Sequence, residues 1–183
     1  MAEDLTLEQL VPLFVPTSFV EAGNWPGPYQ LLSAAGVALT WSVLRPEQTM
    51  RYVDHGLAAF WESRSIEWPR MALENLLELA RTSPWTHEFR RNSGEIYAVG
   101  MLHDDGIGPS RLLNRDRLES LFPEGYRVTL PEMSAALACR TTLDSGEIET
   151  LEAWSAECFE GGSRPLARGF FQPEAILPSV YAA

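Results

Sequence analysis

The sequence predicts a single α+β domain in which helices pack against a mixed or mainly antiparallel sheet. The chain has 183 residues, the size of one domain, and 45% of them are hydrophobic against 21% charged, which is typical of folded soluble proteins. No repeat or low-complexity run marks a boundary, so we assign residues 1–183 to one domain. Strand-like and helix-like segments do not alternate strictly, which disfavours a doubly wound parallel sheet.

Residues 1–36 are predicted to form an N-terminal arm with one short helix. Thr6 and Gln9 have the T-x-x-Q spacing of a capping box, which begins helices. Prolines soon afterwards would keep this helix short. A turn is then expected at residues 24–29 (NWPGPY), where two prolines and a glycine fall together.

Two strands and two helices are predicted next. Residues 37–44 (VALTWSVL) are rich in β-branched and aromatic residues, which indicates a strand, and residues 50–54 indicate a shorter one. Apolar residues then recur at helical spacing, at Leu57, Phe60 and Trp61. Residues 68–84 show the clearest helical pattern, with Pro69 suited to the first turn.

A hairpin is expected in the middle of the chain. Residues 94–103 (GEIYAVGMLH) have strand character, and Asp105-Gly106 is a strong turn signal between two apolar runs. Residues 110–113 would then begin the returning strand. Asn114 stands where the N-cap of a following helix belongs.

The remaining segment predicts two strands, a long helix and a tail. Residues 126–130 and 135–140 indicate the strands. Residues 144–147 resemble a capping box, and the helix that begins there ends at the glycines 161–162. Residues 165–183 are expected to pack as an extended C-terminal tail.

Charge and the absence of lysine exclude several functions. All 14 basic residues are arginines and the net charge is −11. Without lysine there is no Schiff base for pyridoxal phosphate or a lysine aldolase, and no lysine for a Walker A or kinase-like phosphate site. The negative charge argues against a nucleic-acid partner and would attract a basic protein partner. We expect no cofactor.

The cysteines and the N-terminal residues indicate the cellular location of the protein and whether its thiols are free. Cys139 and Cys158 form no C-x-x-C pair and are too few for a zinc site, so buried free thiols are expected. The first residues lack the positive charge and long apolar run of a signal peptide. No apolar run approaches about 18 residues, the length that spans a membrane. We therefore expect a cytoplasmic protein without a membrane partner, and leave its oligomeric state open.

The candidate catalytic residues are His103, Asp104, Asp105 and His55. Imidazole titrates near neutral pH and carboxylates bind divalent cations, so these residue types suit acid–base or metal chemistry. The alternative is structural: Asp-Asp-Gly is favoured in turns, and an aspartate before His55 suits a helix cap. Neighbouring strand residues also point to opposite faces, so we assign no metal ligand.

Other catalytic motifs are missing from the sequence. After His87 and Glu88, Arg91 stands where the zincin motif H-E-x-x-H needs its second histidine. No serine lies in G-x-S-x-G, and the glycines at 106 and 108 do not continue into a dinucleotide-binding pattern.

Four residues are candidates for binding a partner. Trp25 and Trp68 each stand beside a proline and would be partner anchors if exposed, since tryptophan is enriched at interfaces. Arg111 and Arg115 belong to the densest basic stretch. The alternatives are that the tryptophans pack in the core and that the arginines form a solvated face.

The stretch from about residue 71 to 161 resembles the YtpQ-type family of small bacterial proteins of unknown function. The motifs are ALENL at 72–76, D-D-G at 104–106, S-R-L-L at 110–113, and a D-x-x-E helix start after a strand. The sequence departs from the family at residues 130–134, which keep a proline and lack the arginine–aspartate pair. The resemblance implies a single α+β domain and brings no activity or functional residue.

Two functions therefore remain. The first is a non-enzymatic interaction or accessory protein that binds a macromolecular partner, of which an inhibitor of a basic toxin is a special case. The second is a small metal-dependent hydrolase that uses the histidine and aspartate candidates. Metal content and a hydrolase assay with a His103 variant would distinguish them.

Overall fold

Two antiparallel sheets of four strands each form the framework of the computed structural model, which describes residues 7–45 and 49–181. Five α-helices and several 3-10 turns complete the described part of the chain. The architecture is a single α+β domain with antiparallel sheets, so the predicted fold class is confirmed.

The first sheet is organised around a buried central strand. Its strands are β1 (Leu10–Pro16), β2 (Gln30–Leu31), β3 (Val37–Leu44) and β4 (Met50–Tyr52). Strand β3 pairs with β1 along one edge and with β2 and β4 along the other. All of β1 and nearly all of β3 are buried, as their continuous apolar runs require.

The helix predicted in the N-terminal arm is replaced by a strand. One 3-10 turn, Leu7–Gln9, leads directly into β1, and the short helix α1 (Thr17–Glu21) follows it. The prolines of this segment are tolerated because β1 is an outer strand of its sheet. The side-chain amide of Asn75 donates to the carbonyls of Leu7 and Leu10, at 2.7 and 2.9 Å, and fixes the entry to the strand. Thr6, the expected cap, lies outside the described residues.

The second sheet has the order β5-β6-β8-β7. Its strands are β5 (His87–Arg90), β6 (Ile96–Met101), β7 (Tyr126–Glu132) and β8 (Ala135–Arg140). Sequence reasoning predicted β6, β7 and β8 at these places. It did not predict β5, a short and largely exposed strand.

The predicted return strand at residues 110–113 is wrong, because this segment is the 3-10 helix Pro109–Leu113. Both edges of β6 are already paired, with β5 and β8, so no edge is free for a further strand. Pro109 has no N–H to give to a ladder and its fixed φ suits a first helical position. The chain therefore turns inward and buries all five residues of this helix.

The four longer helices lie where the sequence predicts them. They are α2 (His55–Glu62), α3 (Trp68–Thr82), α4 (Arg115–Leu121) and α5 (Ser145–Gly161). A side-chain oxygen of Asp54 accepts a hydrogen bond from the Leu57 N–H at 2.7 Å and caps α2. The Asp144–Glu147 capping box at the start of α5 is present in both directions.

The C-terminal segment runs along the outer edge of β7. Val128 and Phe171 exchange two backbone hydrogen bonds, and the N–H groups of Leu166 and Ala167 donate to the carbonyls of Pro131 and Leu130. Two 3-10 turns, Pro173–Ile176 and Ser179–Tyr181, end the described chain.

One main hydrophobic core connects the two sheets. Helix α3 covers β1 with Ala72 and Leu76, and a smaller cluster that includes Leu151 lies under α5. Cys139 belongs to this second cluster and is buried as predicted, whereas Cys158 is half-buried. Across the residues that the structure describes, every helix is too short or too polar to cross a membrane.

Glu147 fastens the start of α5 to the second sheet. Its carboxylate accepts hydrogen bonds from the Arg91 guanidinium, at 2.6 and 3.0 Å, and from the Asp144 N–H at 2.9 Å. The side chain is buried. The hydrogen bonds from Arg91 lower the pKa of the Glu147 carboxyl below its usual range.

Replacing Glu147 with glutamine is expected to lower the free energy of unfolding by about 2 kcal/mol at pH 7, because a charge-assisted hydrogen-bond network is lost. The folded-state pKa of Glu147 lies below its unfolded value, so this stability is present above about pH 4.5 and disappears as the pH falls through the folded pKa. Urea unfolding from pH 7 to pH 3 should therefore show the two proteins converging.

The matched control is Glu149→Gln, which removes the same charge from an exposed position on the same helix. Its stability should stay within about 0.5 kcal/mol of the parent. Parallel curves for Glu147→Gln and the parent across the whole pH range would contradict the assignment.

Candidate functional site

Asp105 is half-buried and forms an ion pair with a buried arginine at the turn after β6. Its carboxylate accepts the Ile107 N–H at 3.1 Å, as in an Asx turn. The Arg111 guanidinium, only 2% exposed, donates to both carboxylate oxygens, at 2.6 and 3.2 Å. This bidentate geometry is the strong form of an arginine–carboxylate pair. Asp105 was a candidate for metal binding in the sequence, but its negative charge is neutralised by Arg111.

His103 is bound to the end of α3. Its Nε2 lies 3.0 Å from the Ser83 carbonyl, which also accepts from Arg111 Nε at 3.1 Å. A carbonyl can only accept, so Nε2 carries the proton. Burial and the nearby positive charge of Arg111 lower the pKa of His103, which keeps the ring neutral at pH 7.

The Ser83 hydroxyl does not form a nucleophile–base pair with His103. Its Oγ lies 3.2 Å from His103 Nε2, a distance typical of such pairs. Because Nε2 already holds a proton directed at the Ser83 carbonyl, it has no lone pair to accept the hydroxyl proton. The other ring nitrogen, Nδ1, is buried without a hydrogen-bond partner among the described residues. The Ser83–His103–Arg111–Asp105 cluster instead joins α3, β6 and the buried 3-10 helix.

The structure does not gather the candidate catalytic residues into a metal centre. Asp104 is exposed beside the Asp105–Arg111 pair, and His55 is exposed at the first residue of α2. Within residues 7–45 and 49–181, no three histidine, cysteine, aspartate or glutamate side chains form a group able to hold a metal ion.

A cleft of about 410 Å³ opens beside this cluster, between β4 and the β7–β8 turn. Asp104 and Asp105 line it together with Tyr52, Glu132 and Arg164. The buried Glu132 carboxylate accepts from the Ser134 hydroxyl and N–H and from the Arg164 N–H. Two of the three carboxylates that line the cleft, those of Asp105 and Glu132, therefore have hydrogen-bond partners within the protein. These contacts stabilise the turns around the cleft.

Trp68 is a core residue, so its prediction as an exposed partner anchor is wrong. It is 4% exposed. Its ring packs edge to face on Trp41, with 4.9 Å between the ring centroids, and against Trp61, with 5.9 Å between the centroids. The adjacent proline marks the first turn of α3 and not an exposed loop. Trp25 is half-buried, with its ring edge to face on Tyr52 at 4.7 Å.

The two candidate binding arginines are also paired internally. Arg111 is buried, so neither a binding role nor a solvated face describes it. Arg115 is half-buried and contacts Glu119 at 2.9 Å and Glu174 at 3.7 Å.

The exposed side of α5 is the most one-sided charged surface of a helix in the described chain. We name it the α5 acidic face, formed by Glu149, Glu152, Glu157 and Glu160. Helix α5 contains no basic residue, and among residues 7–45 and 49–181 only Glu160 of the four has an ion pair, with Arg168 at 3.6 Å. The helical spacing of these glutamates is visible in the sequence.

Helix α3 shows the contrast, because its exposed glutamates are balanced by arginines on the same helix. Arg70 contacts Glu74 at 2.9 Å and Arg81 contacts Glu78 at 2.8 Å. Because the opposite charges of such pairs lie next to each other, they leave little net negative charge on the surface of α3.

No protein-family model, curated protein or solved structure matches this chain. The resemblance to the YtpQ-type family therefore stays a prediction from the motifs.

Proposed function

We propose that the protein is a non-enzymatic interaction protein that binds a basic macromolecular partner through the α5 acidic face. The observation that carries this proposal is the set of exposed glutamates on one helix without arginines to balance them. Glutamate side chains of like charge repel each other on a helix surface. A partner that presents arginine or lysine would relieve this repulsion, and complementary charge accelerates association and sets its specificity.

The structural contacts of the candidate catalytic residues support the same proposal. Asp105 and His103 hold the fold together through Arg111 and Ser83. The Asp105 carboxylate and His103 Nε2 therefore already have partners within the protein, which leaves them poorly suited to a reaction. The net charge of −11 adds a long-range attraction for a basic partner.

The test compares two variants with equal charge. The first is Glu149→Gln, Glu152→Gln and Glu157→Gln together, on the α5 acidic face. The second neutralises Glu74 and Glu78 of α3, and Glu67 directly before it, in the same way, so each variant changes the net charge from −11 to −8. Partners captured from native lysate by the parent are purified and their affinity for each protein is measured by calorimetry.

We expect the α5 variant to bind a captured partner about tenfold more weakly, and the α3 variant to bind it like the parent. Affinity of the parent should fall as salt screens the charges. Equal binding by both variants would contradict the proposal, as would an equal loss in both, which indicates attraction by net charge alone. Stoichiometric zinc or manganese in untagged protein, with a hydrolase activity lost on His103→Ala, would establish the alternative function, a metal-dependent hydrolase.

A further inference from the structure

A cavity of about 380 Å³ lies between the second half of α5, strand β7 and the C-terminal tail. Its lining includes Arg127 on β7, Ser155 and Phe159 on α5, and Arg168 and Phe170 on the tail. The volume is within the usual range of small-molecule sites, about 300–1,000 Å³. Aromatic walls with a few charged groups are the composition expected of such sites.

Arg127 is the unusual residue of this cavity. It is half-buried, its Nε is buried without a hydrogen-bond partner, and no carboxylate lies within 4 Å of its guanidinium in the described chain. By contrast, the more buried Arg111 has a carboxylate in direct contact, as does the half-buried Arg91. Withdrawing one guanidinium N–H from water without an acceptor is unfavourable, and no carboxylate of the described chain balances the positive charge of Arg127. An anionic group in the cavity would supply that balancing charge.

The walls around Arg127 favour a flat apolar group next to the anion. The guanidinium carbon of Arg127 lies 5.6 Å from the Phe170 ring centroid, and that of Arg168 lies 4.5 Å from the Phe159 ring centroid. The hydroxyl of Ser155 is already paired with Thr129 at 3.0 Å. The Nε of Arg127 is therefore the buried side-chain donor of the lining that has no partner, and the rings of Phe159 and Phe170 offer apolar contact.

Two glutamates limit what the cavity accepts. Glu160 pairs with the exposed Arg168, which weakens that arginine as a second anion contact. Glu152 also lines the cavity and repels a second negative charge. A ligand with one negative charge fits this balance better than a dianion.

We propose that this cavity binds a small aromatic monocarboxylate, with its carboxylate on Arg127 and its ring against Phe159 and Phe170. This inference does not rest on the proposed function, since its anion contact is Arg127, although Glu152 belongs both to the cavity lining and to the α5 acidic face. The full chain is titrated with phenylacetate, and binding is followed by two-dimensional NMR. Phenylacetamide, which has the same shape without the charge, and acetate, which lacks the ring, are the comparison probes.

Phenylacetate should shift the resonances of residues 127, 155–159 and 168–170, and both comparison probes should bind at least about tenfold more weakly. Arg127→Gln should weaken phenylacetate binding by a similar factor. Its matched control is Arg117→Gln, since Arg117 also lies over an aromatic ring, that of Trp85, but does not line the cavity. Glu152→Gln should tighten binding.

A second pair of variants tests the cavity without altering its charge. Ala156→Phe places a ring in the cavity and should abolish phenylacetate binding, whereas Ala153→Phe adds the same ring on an exposed position of α5 that does not line it. Equal binding of phenylacetate and phenylacetamide would overturn the proposal. So would full binding by Ala156→Phe, or shifts confined to residues elsewhere. These results do not depend on whether the α5 acidic face binds a partner.

Discussion

Replacing Trp68 with alanine is expected to lower the free energy of unfolding by about 4 kcal/mol, because it empties the space between Trp41 and Trp61. The side chain is 4% exposed, so most of its surface returns to water when the chain unfolds. Urea unfolding followed by far-ultraviolet circular dichroism measures the change without relying on tryptophan fluorescence.

Phe60→Ala is the control for this experiment. Phe60 belongs to the same aromatic-rich stretch but is 49% exposed, with the Arg64 guanidinium 4.3 Å from its ring centroid. Its removal should reduce stability by less than about 1 kcal/mol. A Trp68→Ala protein with unchanged stability and lost partner binding would restore the interpretation of Trp68 as an interface anchor.

The elements that could be predicted from sequence are those whose signals are local. The capping box at Asp144 and Glu147 and the apolar stripe of α3 fix their helices within a few residues of chain. Strand β1 could not be predicted in this way, because its identity depends on pairing with β3 more than twenty residues later. The capping-box spacing and the two prolines predicted a short helix there, but pairing with β3 makes most of the segment a strand.

The same distinction applies to the sites. The glutamates of α5 share a face because of helical spacing, which the sequence displays. The contact of Asp105 with Arg111 depends on the chain turning back through a 3-10 helix, and the contact of Arg127 with Phe170 depends on the tail running beside β7. Residue type alone placed Asp105 in a turn, which is correct, and Arg111 at the surface, which is wrong.

The Asp105–Arg111 pair gives the second large effect. Asp105→Asn should lower the free energy of unfolding by about 3 kcal/mol, because Arg111 stays charged and buried after its carboxylate is removed. The asparagine oxygen can still accept the Ile107 N–H, so the turn itself is kept and the loss reports the ion pair. Urea unfolding at pH 7 measures the difference.

Asp104→Asn separates the structural reading from the catalytic one, since it removes the same charge from the exposed neighbour in the same turn. Its stability should change by less than about 0.5 kcal/mol. If both residues served a metal or a reaction, the two substitutions would impair function alike and leave stability alone. A large loss for Asp105→Asn beside a negligible one for Asp104→Asn is the pattern expected when Asp105 is the carboxylate partner of the buried Arg111. An Asp105→Asn protein with full stability would return this carboxylate to the catalytic candidates.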